Sequence, residues 1–424
     1  MSGIRTIKNK RLNEKYCFKK LENGLSVYSY PLPGKRGVYA LMGADIGSTT
    51  REFTLGGKTV SAPAGTAHFL EHKLFESEKG DAFELFAKTG ASANAYTSFE
   101  RTCYLFSASI NAGRSLETLL SFVSEPHFTK ETVQKEQGII AQEIKMYDDA
   151  PEWALATMIL RCLYSENPVR DDIAGTVESI AQISPEILYD CYRAFYRPEN
   201  MALCVAGALS PEEVFETAER VYGGIENSGG EVERFLPKEE TAVAQKSERR
   251  AMSVSMPQFC LGFKHSRSKP GDIKRTLGFR FLNLLLAGET SPLYLRLYDK
   301  GLLNETFDAS TMDAQGFCCT TFSGESRDPD AVIYSINEEI ERAKREGLSE
   351  ERFEEHKRAM LGSTLAAFDS VEGVASRLME AHFKQYGLYD IIDAVAEISL
   401  EEVNALLCES FKEELSARAY IDLI

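Results

Sequence analysis

No stretch of this 424-residue chain stays apolar for the about 18 residues that a membrane-crossing helix requires, so no such helix is expected. Positive charge is also short. The 48 Lys and Arg against 64 Asp and Glu give a net charge of −16, which supplies neither a basic stripe for nucleic acid nor an attraction to an anionic membrane. The first eleven residues carry basic side chains with no apolar run behind them, so no secretory signal is expected. The nine cysteines are odd in number and scattered through apolar contexts such as residues 202–205 and 317–320. They lack the spacing of a disulfide framework or a zinc knuckle and read as reduced core residues of a cytoplasmic protein. Cys318 and Cys319 fall on opposite faces if that run is a strand.

Histidine is scarce as well, and the placement of these six residues is informative. His68 and His72 lie four positions apart in His68-Phe69-Leu70-Glu71-His72. On a helix they leave one face about 40° apart and about 5.4 Å along the axis, so both imidazoles reach a single Zn²⁺ at about 2.0–2.1 Å. Glu71 sits on the flank of that face, where a carboxylate can take a proton from a water without ligating the metal. H-x-x-E-H is the inverted form of the zinc-peptidase helix. A satisfied amphipathic helix is the plainer reading of the pentapeptide.

A catalytic zinc usually has three protein ligands. Residues 129–147 read as a long helix capped by Thr129, with Glu136 and Glu143 seven residues apart on one face and Ile140 between them. Carboxylates on an apolar stripe are costly to desolvate, and a metal or a histidine partner removes that cost. Solvated surface acids are the alternative.

The HFLEH helix, Glu136 and Glu143 about seventy residues on, and the run Tyr147-Asp-Asp-Ala-Pro151 together resemble the pitrilysin/insulinase family of zinc peptidases. That family includes the mitochondrial processing peptidase subunits. GASANAYTS at 90–98, FYRPENM at 195–201 and IAGTVESI at 173–180 bring the chain nearest to its bacterial YmfH-like branch. The likeness is dense over 20–225 and thinner beyond. The resemblance implies one zinc per chain on His68, His72 and Glu143, Glu71 as the base, and Glu136 as a supporting carboxylate. It also implies an exposed edge strand, Ser92–Thr97, on which an extended peptide adds as a further strand near Asn94, Ala95 and Tyr96. Edge pairing suits this use, because main-chain hydrogen bonds grip any sequence while alternating pockets select.

Many relatives also carry, in the second half, an Arg and a Tyr seven residues apart that hold the substrate carbonyl. An ungapped placement puts Tyr298 and Glu305 there, with Tyr294 and Arg296 close by. Arg296 and Tyr298 are therefore the substrate-binding candidates of that half. The departure implies a dimer, either of this chain or with a related chain that lacks the zinc motif.

Length and a 43% hydrophobic content point to two domains, each an antiparallel-rich α+β layer of helices on a sheet. Two echoes suggest duplication. Residues 67–74 match 279–286 at an offset of 212, and the segment from Ile183 matches that from Ile398 at 215. Arg280, Asn283 and Leu284 then stand where His68, Glu71 and His72 stand, so the second copy has no metal site. The expected division is a catalytic domain at 1–225, a linker at 226–250 marked by Gly229-Gly230, and a non-metal domain at 251–424.

Strands are expected at 16–21 and 25–30 around Asn23-Gly24, at 37–45, and near 252–265, 303–311 and 315–323. Helices are expected at 65–77, 80–88, 113–124, 130–148, 151–164, 184–196, 210–222, 272–287, 329–345, 349–369, 371–385 and 399–411. Trp153, Phe195 and Tyr196 read as core, and the other four histidines as ordinary residues. Two functions follow: a zinc metalloendopeptidase cutting extended peptides, or a weak or inactive homologous subunit that binds peptide for a partner.

Overall fold

Asn23-Gly24 turns the chain as its residue types dictate. Gly24 takes a φ of +100°, and the Asn23 side-chain carbonyl accepts the Leu25 N–H at 3.2 Å. Glu14–Lys20 and Ser26–Pro31 pair antiparallel on either side. A computed structural model describes residues 3–78, 80–227, 230–314 and 316–424. It resolves into two compact units, each assembled from separate stretches of chain: Met1–Ile144, Asp172–Leu236 and Leu365–Tyr389 in the first, Lys145–Asp171, Pro237–Thr364 and Asp390–Ile424 in the second.

The first unit is built on a seven-stranded sheet. In spatial order its strands are Arg5–Asn9, Glu14–Lys20, Ser26–Pro31, Met201–Gly207, Val38–Ala44, Thr102–Ala108 and Ser92–Thr97. Met201–Gly207 is buried throughout, parallel to one neighbour and antiparallel to the other, which fits its continuous apolar run. Ser92–Thr97 forms an edge and alternates exposed with half-buried residues. The second unit's sheet runs Ser247–Met252, Ser416–Leu423, Gln258–His265, Phe317–Glu325, Asp308–Ala314. Its pairing repeats the last five strands of the first sheet, down to the single parallel pair at the corresponding place. The fold is thus α+β with two similar helix-covered sheets.

The contiguous division at 225 and 251 needs correction. Helix Pro151–Leu163 lies with the second unit, on Gln258–His265, and helix Val371–Lys384 lies with the first, on Val38–Ala44. Each sheet has a second apolar face, and a helix from the other half of the chain covers it. Mid-strand glycines make the room. A Cβ on Gly43 would meet the Met379 sulfur at 2.6 Å, and one on Gly262 would meet Ile159 at 2.7 Å.

The expected helices appear within a few residues of their predicted ends. Unforeseen are the helices Val177–Ile180, Pro292–Asp299 and Asp390–Glu397, the strands Arg5–Asn9 and Thr102–Ala108, the short pair Glu76–Ser77 and Gly80–Asp81, and a three-stranded sheet of Val232–Phe235, Glu52–Leu55 and Lys58–Ser61. The strand expected at 252–265 is broken between Met252 and Gln258. The strand expected at 303–311 lies later, at Asp308–Ala314, and Gln315, expected to open the next one, lies outside the described residues. Among the described residues no helix is long and apolar enough to cross a membrane.

The expected linker carries structure of its own, including Val232–Phe235 and Ser247–Met252; Gly229 lies outside the described residues. Val232–Phe235 alternates half-buried with exposed residues, and Ser247–Met252 is largely exposed up to the buried Met252. Glu239 anchors the stretch. The carboxylate accepts the backbone N–H groups of Ser165 at 3.0 Å, Glu166 at 2.8 Å and Asn167 at 2.7 Å, and pairs with the buried Lys264 at 2.7 Å. Burial opposes its ionisation, but Lys264 and the three N–H groups outweigh it and hold the carboxyl down at about 2. A depressed carboxyl stabilises the fold above its ordinary range, and the contribution fades as pH falls. Glu239→Gln should cost on the order of 2–3 kcal/mol near pH 7. Urea denaturation of variant and wild type should show the difference narrowing as the pH is lowered from about 5 toward 3.

Candidate metal centre

Helix Thr66–Leu74 begins at Gly65, whose φ is +86°. A Cβ there would lie 2.3 Å from the Ala174 carbonyl oxygen, and a Cβ on Gly175 would lie 2.5 Å from the Ala64 carbonyl oxygen. Two glycines thus let two backbones touch, which fixes where this helix starts. Phe69, Leu70 and Leu74 are buried in the core and set the helix's rotation. His68 and His72 are left half-buried on the other side. Helix Lys130–Asp148 faces them, anchored by Val133, Ile140 and Ile144 and by the Gln137 amide, which donates to the carbonyls of Ile180 and Ile183.

The two helices bring His68, His72 and Glu143 together, with one ligand atom of each within 4.8 Å of the others. His68 Nε2 lies 3.7 Å from Glu143 Oε1, and His72 Nε2 lies 3.6 Å from Glu143 Oε2. These separations are too long for hydrogen bonds. They are close to the about 3.4 Å that separates ligand atoms set tetrahedrally around an ion at about 2.0–2.1 Å. The other nitrogen of His72, Nδ1, lies 3.1 Å from Glu136 Oε1, the carboxylate contact that orients a ligating imidazole. Two imidazoles and one carboxylate, with a second carboxylate behind, fit zinc, and Mn²⁺ or Co²⁺ would be accepted by the same donors.

The electrostatics suit a cation. Burial, followed by the neighbouring His72, brings His68 down to about 4, so it is neutral and its lone pair is available. Burial pulls His72 the same way, but the hydrogen bond to Glu136 and the charges of Glu71 and Glu143 outweigh it and raise the imidazole. Burial raises Glu71, opposed by a hydrogen bond from Thr97 and by His72. The net upward shift makes the Glu71 carboxylate a stronger base than an exposed one.

Asn94, Ala95 and Tyr96 lie on the edge strand Ser92–Thr97, which packs on the metal helix and hydrogen-bonds only to Thr102–Ala108 within its sheet. Asn94 and Tyr96 point outward, and Ala95 packs on the core. Asn94 Oδ1 accepts the Ala95 N–H at 2.9 Å. Arg296 and Tyr298 belong to the second unit, on helix Pro292–Asp299, where the exposed Tyr298 ring stacks on Tyr294 at 5.7 Å. Trp153 is not core as expected: it is 37% exposed and stacks on Tyr147 at 4.7 Å, because the Pro151 turn returns the chain beside that ring. Phe195 and Tyr196 are buried, as are all the cysteines except Cys408. Sequence reasoning overlooked Thr97, whose hydroxyl donates to Glu71 Oε2 at 2.5 Å. Strand alternation from Ala93 and Ala95 was the available signal, since it turns Thr97 toward the helix.

Residues 60–177 match the sequence profile described as insulinase (peptidase family M16), and residues 182–360 match that described as the peptidase M16 inactive domain. The chain is 39% identical to the uncharacterized zinc protease YmfH of Bacillus subtilis, over 98% of this chain and 97% of that one. The chain belongs to the insulinase family. The crystal structure of an M16-like peptidase from Alicyclobacillus acidocaldarius superposes with a TM-score of 0.93 at 32% identity, covering 100% of this chain and 99% of that one. A protein of Schizosaccharomyces pombe described as a probable mitochondrial-processing peptidase subunit beta is 30% identical over 51% of this chain and 47% of its own. The second profile's description agrees with the loss of His68, Glu71 and His72 counterparts at Arg280, Asn283 and Leu284.

Glu136 is buried and touches His72 alone among the candidate ligands, so Glu136→Ala should leave the fold in place and weaken zinc about 10- to 100-fold. Competition against a fluorescent chelator reads that shift directly.

Proposed function

We propose that this chain is a zinc metalloendopeptidase that hydrolyses peptides bound in extended form. The observation that carries the reading is the placement of Glu71. It lies one position before His72, it is buried, and it is hydrogen-bonded to the end of an open edge strand. His68, His72 and Glu143 would hold the metal, and zinc there supplies Lewis acidity and lowers the pKa of water toward neutrality. Glu71 accepts the proton of the attacking water and passes it to the departing amine. Glu136 holds the His72 ring in place through Nδ1. The strand Ser92–Thr97 offers its open main-chain edge to the peptide, with the cleavage point near Asn94 and Ala95 and with Tyr96 beside them.

One observation favours a second reading, a peptide-binding subunit that needs a partner for turnover. The positions where many relatives carry Arg and Tyr hold Tyr298 and Glu305. Arg296 and Tyr298 remain the substrate-binding candidates of that half. In either case a dimer is the proposed working form, of this chain or with a related chain lacking the zinc helix.

Glu71→Gln removes the base and none of the ligands. Purified wild type and variant should each carry about one zinc per chain. Only the wild type should cleave a quenched fluorescent peptide library, with the variant slower by about 100-fold or more. Zinc in both without turnover in either would favour the binding subunit, and absence of zinc after supplementation would refute the site.

A further inference from the structure

Thr97 closes the edge strand on the face shared with Ala93 and Ala95, and its hydroxyl reaches Glu71 Oε2 at 2.5 Å. Its cross-strand partner is Thr102, with the two Oγ1 atoms 3.4 Å apart. The Thr102 proton is committed to the Ile46 carbonyl at 2.9 Å. Each hydroxyl has one proton, so Thr97 spends its own on the carboxylate and draws none from Thr102. One carboxylate oxygen of Glu71 is thereby held, and the other is left for the water.

The second unit repeats the contact with its polarity reversed. Asn283 occupies the place in helix Ile273–Ala287 that Glu71 has in its own, and its Nδ2 donates to Thr311 Oγ1 at 3.1 Å. Thr311 lies on the edge strand Asp308–Ala314 opposite Thr320, with Oγ1 atoms 2.7 Å apart. A brace between helix and edge strand works with either polarity. A carboxylate that must accept a proton from water is served only by a hydroxyl that donates.

We propose that Thr97 is a positioning residue for the peptidase reaction, one that aims the Glu71 carboxylate and ties the base to the strand on which the peptide lies. This rests on the peptidase reading. Peptide and base then share one rigid element, and the distance between the scissile carbonyl and the base is fixed by the strand.

The test uses the full zinc-loaded chain. Thr97→Val keeps the shape and removes the hydroxyl. The expected result is a fall in kcat of about 10- to 100-fold with KM within about twofold, at wild-type zinc content. Thr97→Ser, which restores the donor, should recover most of kcat. Thr311→Val, the same cut in the second unit, should leave kcat unchanged. Unchanged kcat in Thr97→Val, a loss no larger than its loss of folded zinc-loaded protein, or no recovery in Thr97→Ser would overturn the proposal. A wild type that cleaves no peptide would count against the peptidase reading instead. Melting temperatures then decide on the contact: Thr97→Val, Glu71→Ala and the double variant should be non-additive if Thr97 holds Glu71, and additive shifts would overturn it.

Discussion

Three carboxylates and two imidazoles packed at the border of an apolar core cannot all be desolvated without a positive charge among them. Glu71 and Glu136 are buried, Glu143 is partly buried, and His68 is held neutral by its surroundings. The apolar anchors around them, Phe69 and Leu70 on one helix and Val133 and Ile140 on the other, fix how closely these groups must approach. The packing therefore creates an electrostatic demand, and a divalent cation between His68, His72 and Glu143 would meet it. Glu136 behind His72 and Thr97 on Glu71 give those groups hydrogen-bond partners, while two glycines pin the start of the helix through close backbone approach.

Much of this was readable in one dimension. The spacing of His68 and His72 on a helix, and of Glu136 and Glu143 on another, depends only on helical periodicity, and the structure places both pairs as that periodicity requires. The Asn23-Gly24 hairpin and most helix ends were legible for the same reason, since caps and turns are written in neighbouring residues. Long-range partnership was not legible. Nothing near Glu239 announces that Ser165, Glu166 and Asn167 will surround its carboxylate, and nothing near Trp153 says that Tyr147 will share its exposed stack. The short strands of the small sheet lacked the length for an alternation to stand out from a charged loop.

Duplication explains why one copy can be compared with the other. Both sheets run through the same five-strand order, and both set a helix residue against a threonine on the edge strand. Between the copies the scaffold is kept and the chemistry is exchanged: Glu71 becomes Asn283 and His72 becomes Leu284. The polar contact is present in both copies, where each buried helix side chain takes a threonine partner.

The crossing of helices between the halves bears on how the chain is made. The first unit includes Leu365–Tyr389, and Gly43 on its sheet meets Met379. During synthesis that sheet face stays open until Leu365–Tyr389 has left the ribosome. The helix Thr66–Leu74 is made early, but the sheet face that Val371–Lys384 covers must wait for more than three hundred residues of intervening sequence. Over that stretch of translation the nascent chain presents an apolar sheet face, and shielding it falls to chaperones or to the speed of the ribosome itself.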